Sequence, residues 1–145
     1  MKILVQRVSE ASVSVNKEKV SEISEGLLVF VGFSRDEKDK ATERAAEKLL
    51  NLRIFEDENG KMNKSIKDTK KEILLVPQFT LCAETKKGNR PSFDFAAESD
   101  RAAALFEELF SVLSKTVSVK QGRFKELMDV YLVNHGPATF MLEIE

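Results

Sequence analysis

The amino-terminal part of the chain alternates apolar and polar residues. Residues 3–15, ILVQRVSEASVSV, follow a period of two, which is typical of a strand with one buried face. Asn16 and Lys17 have turn composition, and residues 19–24 resume the strand pattern. The sequence therefore predicts a β-hairpin at the start of the fold.

Two later segments are nearly continuous apolar runs. They are LLVFVGF (27–33) and EILLVPQFTL (72–81), and such runs are typical of strands buried on both faces. RIFED (53–57) predicts a short strand between them. These segments would form the centre of a sheet.

Two segments carry helical periodicity. Residues 36–52 have an acidic first turn and the apolar spacing of a helix. Residues 99–115 predict the longer helix, with Ser99 as its cap. Its apolar face is formed by Ala103, Phe106, Leu109, Phe110 and Leu113.

The end of the chain contains an unusual connection. Residues 127–133 and 139–145 both predict strands, yet the residues between them include His135, Gly136 and Pro137. A two-residue hairpin turn does not call for this order of residues. The pattern alone assigns no role to the Gly-Pro pair.

Composition is that of one compact domain spanning residues 1–145. Of its residues, 42% are hydrophobic and 32% charged, without a repeat or linker, and the predicted fold class is α+β, or mixed α/β.

One cysteine, Cys82, and one histidine predict neither a disulfide framework nor a bound metal. No signal peptide or membrane span is evident, which predicts a cytoplasmic protein. The net charge of −1 leaves only a local patch for nucleic acid.

Candidate chemistry begins where Pro77 interrupts an apolar strand. Proline cannot donate to a β-ladder, so the amides of Gln78, Phe79 and Thr80 are expected to become available beside a hydroxyl. Such groups can form an oxyanion site. The alternative is that Pro77 ends an edge strand and Thr80 is an ordinary β-former.

A basic run follows this segment. Lys86, Lys87 and Arg90 surround a glycine in a predicted loop, where they suit contacts with phosphate groups. A solvated basic loop explains the same residues.

Several ordered motifs resemble the D-aminoacyl-tRNA deacylase family from end to end. They are QRVSEASVSV, GLLVFVG, LRIFEDENGKMNKSI, QFTL with KKGNRPSF, GRF, and VNHGPAT. Two positions depart from the family pattern: Pro77 replaces the usual serine, and Ala138 replaces the usual valine.

The resemblance implies a fold and a site. The fold would have a barrel-like core with two main helices, and Gln78, Phe79 and Thr80 would form the catalytic segment. Gly136-Pro137 would be a cis peptide whose carbonyls enter the partner subunit's pocket, bind the substrate ammonium group and exclude L-aminoacyl esters. Substrate-binding roles would extend to Arg7, which braces that loop, and to three pocket walls. The walls would be Met62, Phe124 and Met128, which are also explained as ordinary core residues.

The implied reaction is hydrolysis of the ester between a D-amino acid and the 3′ end of tRNA, with glycyl-tRNA as a further substrate. It would proceed in a homodimer whose active site lies at the subunit interface, without a cofactor. Backbone amides and the ribose 2′-hydroxyl would do the chemistry, while nucleophilic attack by Thr80, assisted by His135 across the interface, is the alternative. Two other functions are considered: a non-catalytic tRNA-binding protein and a hydrolase of small D-amino acid esters.

Overall fold

The structure, a computed structural model, describes residues 1–86 and 88–145. It contains eight strands, two α-helices and two short 3-10 helices. The strands are β1 (Lys2–Val15), β2 (Glu18–Ile23), β3 (Gly26–Gly32), β4 (Phe55–Glu56), β5 (Met62–Lys64), β6 (Glu72–Pro77), β7 (Val119–Gln121) and β8 (Asp129–Glu143). The helices are α1 (Ala41–Asn51) and α2 (Ser99–Ser114), with 3-10 turns at Ile66–Asp68 and Phe79–Cys82.

Six strands form one sheet that curls into a nearly closed barrel. The order is β2-β1-β3-β6-β7, and β8 pairs with β1 beside this path. The β3–β6 and β6–β7 pairs are parallel, because the chain crosses over through α1 and then α2 between them, while β1 pairs antiparallel with β2, β3 and β8. Lys120 Nζ of β7 donates to the Glu22 carbonyl of β2 at 2.8 Å, which brings the two ends of the path together.

The central parallel strands are buried on both faces, as the apolar runs predicted. Along β3, Leu27 and Val29 face a core that contains the helices, while Leu28 faces a second core inside the curled sheet. In β6, Leu75 faces the core that contains the helices and Leu74 faces the second core. Because neighbouring strand residues point to opposite faces, a strand between two cores needs apolar residues at every position.

Both helices exist, but the predicted start of the first helix and the predicted cap of the second were wrong. The first helix begins at Ala41, so the acidic residues 36–39 precede it in turns instead of forming its first turn. Glu98 is the N-cap residue of α2, so Ser99 is the first helical residue and not the cap. On the buried face of α2, Ala102 is buried, whereas Ala103 is only half-buried.

The two strands predicted at the end of the chain are one strand. The register of β8 against β1 pairs Val8 with Asn134 and Gln6 with Thr139. Four β8 residues, 135–138, therefore lie opposite Arg7 alone. The Gly-Pro pair occupies a wide bulge within a continuous strand, and we call residues 134–139 the β8 bulge.

The predicted α+β class, with a barrel-like core and two helices, is confirmed. Within the described ranges, neither helix has the length and apolar character needed to cross a bilayer.

Candidate functional site

An apolar cleft of about 560 Å³ opens where β3 and β6 end. Its walls come from these two strands, from the start of α2 and from the segment that leads into β8. The lining residues include Val31, Phe33, Val76, Pro77, Gln78, Phe79, Ala97, Ala102, Phe124, Leu127 and Met128. The cleft thus contains four of the residues predicted for the site, namely Gln78, Phe79, Phe124 and Met128.

The 3-10 turn after Pro77 forms one side of the cleft. Strand β6 ends at Pro77, but the Gln78 amide still donates to the Val31 carbonyl at 2.7 Å. The prediction that the Gln78 amide is available was therefore wrong. Leu81 makes the first hydrogen bond within the turn, to the Gln78 carbonyl at 3.2 Å, so the amides of Phe79 and Thr80 are the two without a partner in the turn.

No general base accompanies Thr80 among the contacts of the described residues. Its hydroxyl accepts a hydrogen bond from the Gln78 carboxamide. His135 lines a different cavity, together with Arg7. Burial raises the pKa of Cys82, which keeps this nearby thiol protonated and weakly nucleophilic.

Close packing fixes the opposite wall of the cleft. The Gly122 amide donates to the Leu75 carbonyl at 2.8 Å. A Cβ atom at Gly122 would lie 2.9 Å from Met128 Sδ, so glycine allows this methionine to reach the cleft. Leu127 lies at the rim and is 95% exposed. Sequence reasoning missed Gly122 and Leu127, although the GRF motif includes Gly122.

The β8 bulge is held by Arg7. This residue is 3% exposed; its Nε donates to the His135 carbonyl at 3.0 Å and its Nη1 donates to the Ile54 carbonyl at 2.7 Å. Glu56 Oε1 lies 3.6 Å from Nη2 and balances part of the charge. The Gly136-Pro137 bond is cis, as expected.

The Asn134 side chain also stabilises the β8 bulge. Asn134 Nδ2 donates to Thr139 Oγ1 at 3.2 Å, which joins the two ends of the bulge. A Cβ atom at Gly136 would lie 3.0 Å from Asn134 Oδ1, a tight contact that glycine avoids.

Within one chain, the bulge and the 3-10 turn are separate. Arg7 pairs with Leu27 at the start of β3, whereas Gln78 bonds to Val31 four residues further along. At about 3.3 Å per residue, this offset is roughly 13 Å. Met62 lies on β5 and is 40% exposed, outside the cleft. Within one chain, the predicted site residues of the cleft are therefore apart from Arg7 and the Gly136-Pro137 pair.

The basic loop is closed by a backbone pair. Glu84 and Ser92 exchange hydrogen bonds of 2.8 and 3.0 Å, which places this loop directly before Phe93. Lys86 and Arg90 are exposed, and the Lys86 amide keeps the pKa of Glu84 below its usual value. Lys87, predicted to bind tRNA with them, lies outside the described residues.

The described residues include no group of three or more metal-ligating side chains suited to an ion. The fold and site define a class: small α+β proteins with an apolar cleft at the end of a parallel strand pair, bordered by a 3-10 turn whose first amides have no partner within the turn.

Comparison with known proteins specifies the family. A model of the D-Tyr-tRNA(Tyr) deacylase family matches residues 4–143. A D-aminoacyl-tRNA deacylase of Bacillus licheniformis is 51% identical over 144 residues, covering 99% of this chain and 98% of its own. One from Thermodesulfovibrio yellowstonii is 49% identical and covers 96% of both chains. The solved structure of a c-Myc DNA unwinding element binding protein matches with a TM-score of 0.95 and 42% identity, covering 100% of this chain and 99% of its own. The chain belongs to the D-Tyr-tRNA(Tyr) deacylase family.

Proposed function

We propose that this protein hydrolyses the ester bond of D-aminoacyl-tRNA, releasing the D-amino acid and free tRNA. Family membership supports the reaction, because the relatives carry this activity in their names. The observation that carries the proposal to this chain is the cleft beside Gln78 and Phe79, at the turn whose first amides have no intrahelical partner.

The 3′-terminal nucleoside of the tRNA occupies this cleft. Its walls include Phe33, Phe124 and Met128, which offer apolar and aromatic surface to a base. Single-stranded ends are recognised by such stacking, since their bases are not buried in a duplex. The ester carbonyl then reaches the 3-10 turn at the edge of the cleft.

The amides of Phe79 and Thr80 stabilise the negative charge that develops on the carbonyl oxygen during attack by water. Donors fixed by the backbone need no reorganisation when the charge appears. Because Thr80 has no base beside it, the ribose 2′-hydroxyl of the substrate assists the proton transfer. The chemistry thus depends on backbone groups and on the RNA itself.

Selection against L-aminoacyl esters comes from the β8 bulge of a second subunit. The offset of roughly 13 Å along β3 separates the bulge of one chain from its own 3-10 turn, so a homodimer must supply the two parts of one site. The carbonyls of Gly136 and Pro137 accept hydrogen bonds from the substrate ammonium group and leave no space for an L side chain. Glycyl-tRNA, which has no side chain, is also a substrate.

Matched D- and L-tyrosyl-tRNA test the function directly. The protein should accelerate hydrolysis of the D ester and leave the L ester near its spontaneous rate. A D-tyrosyl ester of a simple alcohol should be a poor substrate, because it lacks both the nucleoside and the 2′-hydroxyl. Binding of tRNA without faster hydrolysis would show a non-catalytic protein, and efficient cleavage of the simple ester would show a small-molecule esterase.

A further inference from the structure

An exposed aromatic surface lies beside the cleft. Three of the ten phenylalanines are exposed, namely Phe79, Phe93 and Phe95, at 55%, 38% and 49%. Phe79 lines the cleft, and its ring meets the Phe93 ring edge to face with 5.0 Å between centroids. Exposed apolar surface concentrated at one place is typical of a binding site.

The Phe95 ring also makes a cation–π contact with Arg35. The Arg35 guanidinium carbon lies 5.3 Å from the centre of the Phe95 ring. Arg35 is fixed in this position, because its Nη1 donates to the Asp94 carbonyl at 3.1 Å and its amide donates to the Phe95 carbonyl at 2.9 Å. We call Phe95 and Arg35 together the Phe95 platform.

The platform lies close to the cleft along the chain. Phe33 and Ala97 both line the cleft and are joined by a hydrogen bond of 2.9 Å from the Ala97 amide to the Phe33 carbonyl. Arg35 and Phe95 are each two residues from this pair, about 7 Å along extended chain. Stacked bases repeat every 3.4 Å or so, so a strand leaving the cleft reaches the platform within about two nucleotides.

Pairing of the Arg35 charge favours a base over a phosphate as the ligand of its guanidinium group. Asp36 Oδ2 lies 3.6 Å from Arg35 Nε, which offsets the positive charge that a phosphate would need. The planar guanidinium and the ring still offer flat surfaces for stacking, which tolerates any base.

We propose that the Phe95 platform stacks against the base of the penultimate nucleotide of the bound 3′ end. The proposal rests on the proposed function, because it takes the terminal nucleoside to occupy the cleft. It gives the protein a contact with the RNA strand that an isolated aminoacyl nucleoside cannot make.

Substrates of different length test the platform. Phe95→Ala should lower kcat/KM for D-tyrosyl-tRNA by about 5- to 150-fold, the loss expected for one base–aromatic stack. The same variant should hydrolyse D-tyrosyl-adenosine at the wild-type rate, because this substrate ends before the platform. Equal losses on both substrates, or no loss on tRNA, would overturn the proposal.

Binding of uncharged tRNA, measured by fluorescence titration, separates the platform from the reaction. Phe95→Ala should weaken binding of tRNA, but not of tRNA that is abasic at the penultimate position, whereas Phe95→Trp should retain wild-type affinity. Such results from a protein that hydrolyses neither substrate would support the platform and reject the proposed function. If Phe95→Ala instead changes the oligomeric state in sedimentation, a protein partner covers this surface and the proposal is wrong.

Discussion

At the scale of single residues, the proposed mechanism relies on main-chain groups positioned by a few side chains. Thr80 has the hydroxyl that suggests a nucleophile, yet its contact is with Gln78 and not with a base. Arg7 is buried without touching the cleft, and its role is to hold carbonyl groups in place. Two predictions concern these residues.

Replacing Thr80 with valine should reduce deacylation only modestly, because the backbone amide remains. Removing the 2′-hydroxyl of the terminal ribose, with the amino acid on the 3′ oxygen, should slow hydrolysis by about 10²- to 10⁴-fold, as for loss of a positioned proton-transfer group. Single-turnover rates measure both changes. A folded, tRNA-binding Thr80→Val protein without activity, together with normal hydrolysis of the deoxy substrate, would restore Thr80 as the nucleophile.

Arg7→Lys should lower the free energy of unfolding by about 1–3 kcal/mol, since lysine cannot serve both carbonyls with a planar fork. It should also weaken rejection of L-tyrosyl-tRNA, because the His135 carbonyl and the adjoining Gly-Pro pair lose their support. Urea denaturation and the D/L rate ratio are the measurements.

The neighbouring variant Gln6→Ala is the matched control for Arg7. It removes an exposed hydrogen bond from Gln6 to Thr139 on the same bulge. Its effect on stability should stay within about 0.5 kcal/mol. If the two variants behave alike, the buried arginine has no special role in the bulge.

At the scale of elements, the proposed mechanism places the chemistry on short irregular segments at the ends of regular strands. The 3-10 turn follows the proline that ends β6, and the basic loop follows the 3-10 turn. Each can be altered without changing the strands that position it.

Phe79→Pro should reduce kcat by about 10²- to 10³-fold, the usual loss for one oxyanion donor. Proline removes the amide hydrogen but suits the first position of a helix, so the turn should persist. Phe79→Leu is the control, because it also removes the ring and keeps the amide. Equal rates for the two variants would exclude the Phe79 amide as a donor.

Neutralising the basic loop by changing Lys86, Lys87 and Arg90 to glutamine should flatten the salt dependence of tRNA binding. The slope of log K against log salt is negative, and each lost phosphate contact reduces its magnitude by about 0.7–0.9. A control protein with Lys17, Lys48 and Lys115 changed to glutamine removes the same charge from exposed positions elsewhere. Identical slopes for both proteins would remove the loop from the tRNA interface.

At the scale of the whole molecule, the proposed homodimer would form through β8. Tyr131, Val133 and Met141 are exposed apolar residues on this strand, and it pairs with β1 along one side only within the described chain. An open strand edge with apolar side chains favours association. In the proposed dimer, each subunit would complete the site of the other.

The protein should sediment as a dimer of twice 16.4 kDa. Mixing Gly136→Val with Phe79→Pro should then restore activity, because one of the two sites in each heterodimer combines an unaltered turn with an unaltered bulge. Each variant measured alone is the control and should stay nearly inactive. A fully active monomer, or a mixture no more active than its components, would contradict a shared site.

The sequence by itself determined the first hairpin, the two buried central strands, the two helices and the family, because periodicity and ordered motifs are local properties of the chain. It could not locate the start of α1, which begins at Ala41 and not at residue 36, or the cap of α2, because the turns before a helix compete with its first residues. Tertiary structure alone decided that residues 129–143 are one bulged strand, since register depends on the partner β1. Only the tertiary structure showed that the Gln78 amide donates to the Val31 carbonyl and that the β8 bulge lies apart from the 3-10 turn. Distances between segments remote in the chain follow from packing, which no local pattern encodes.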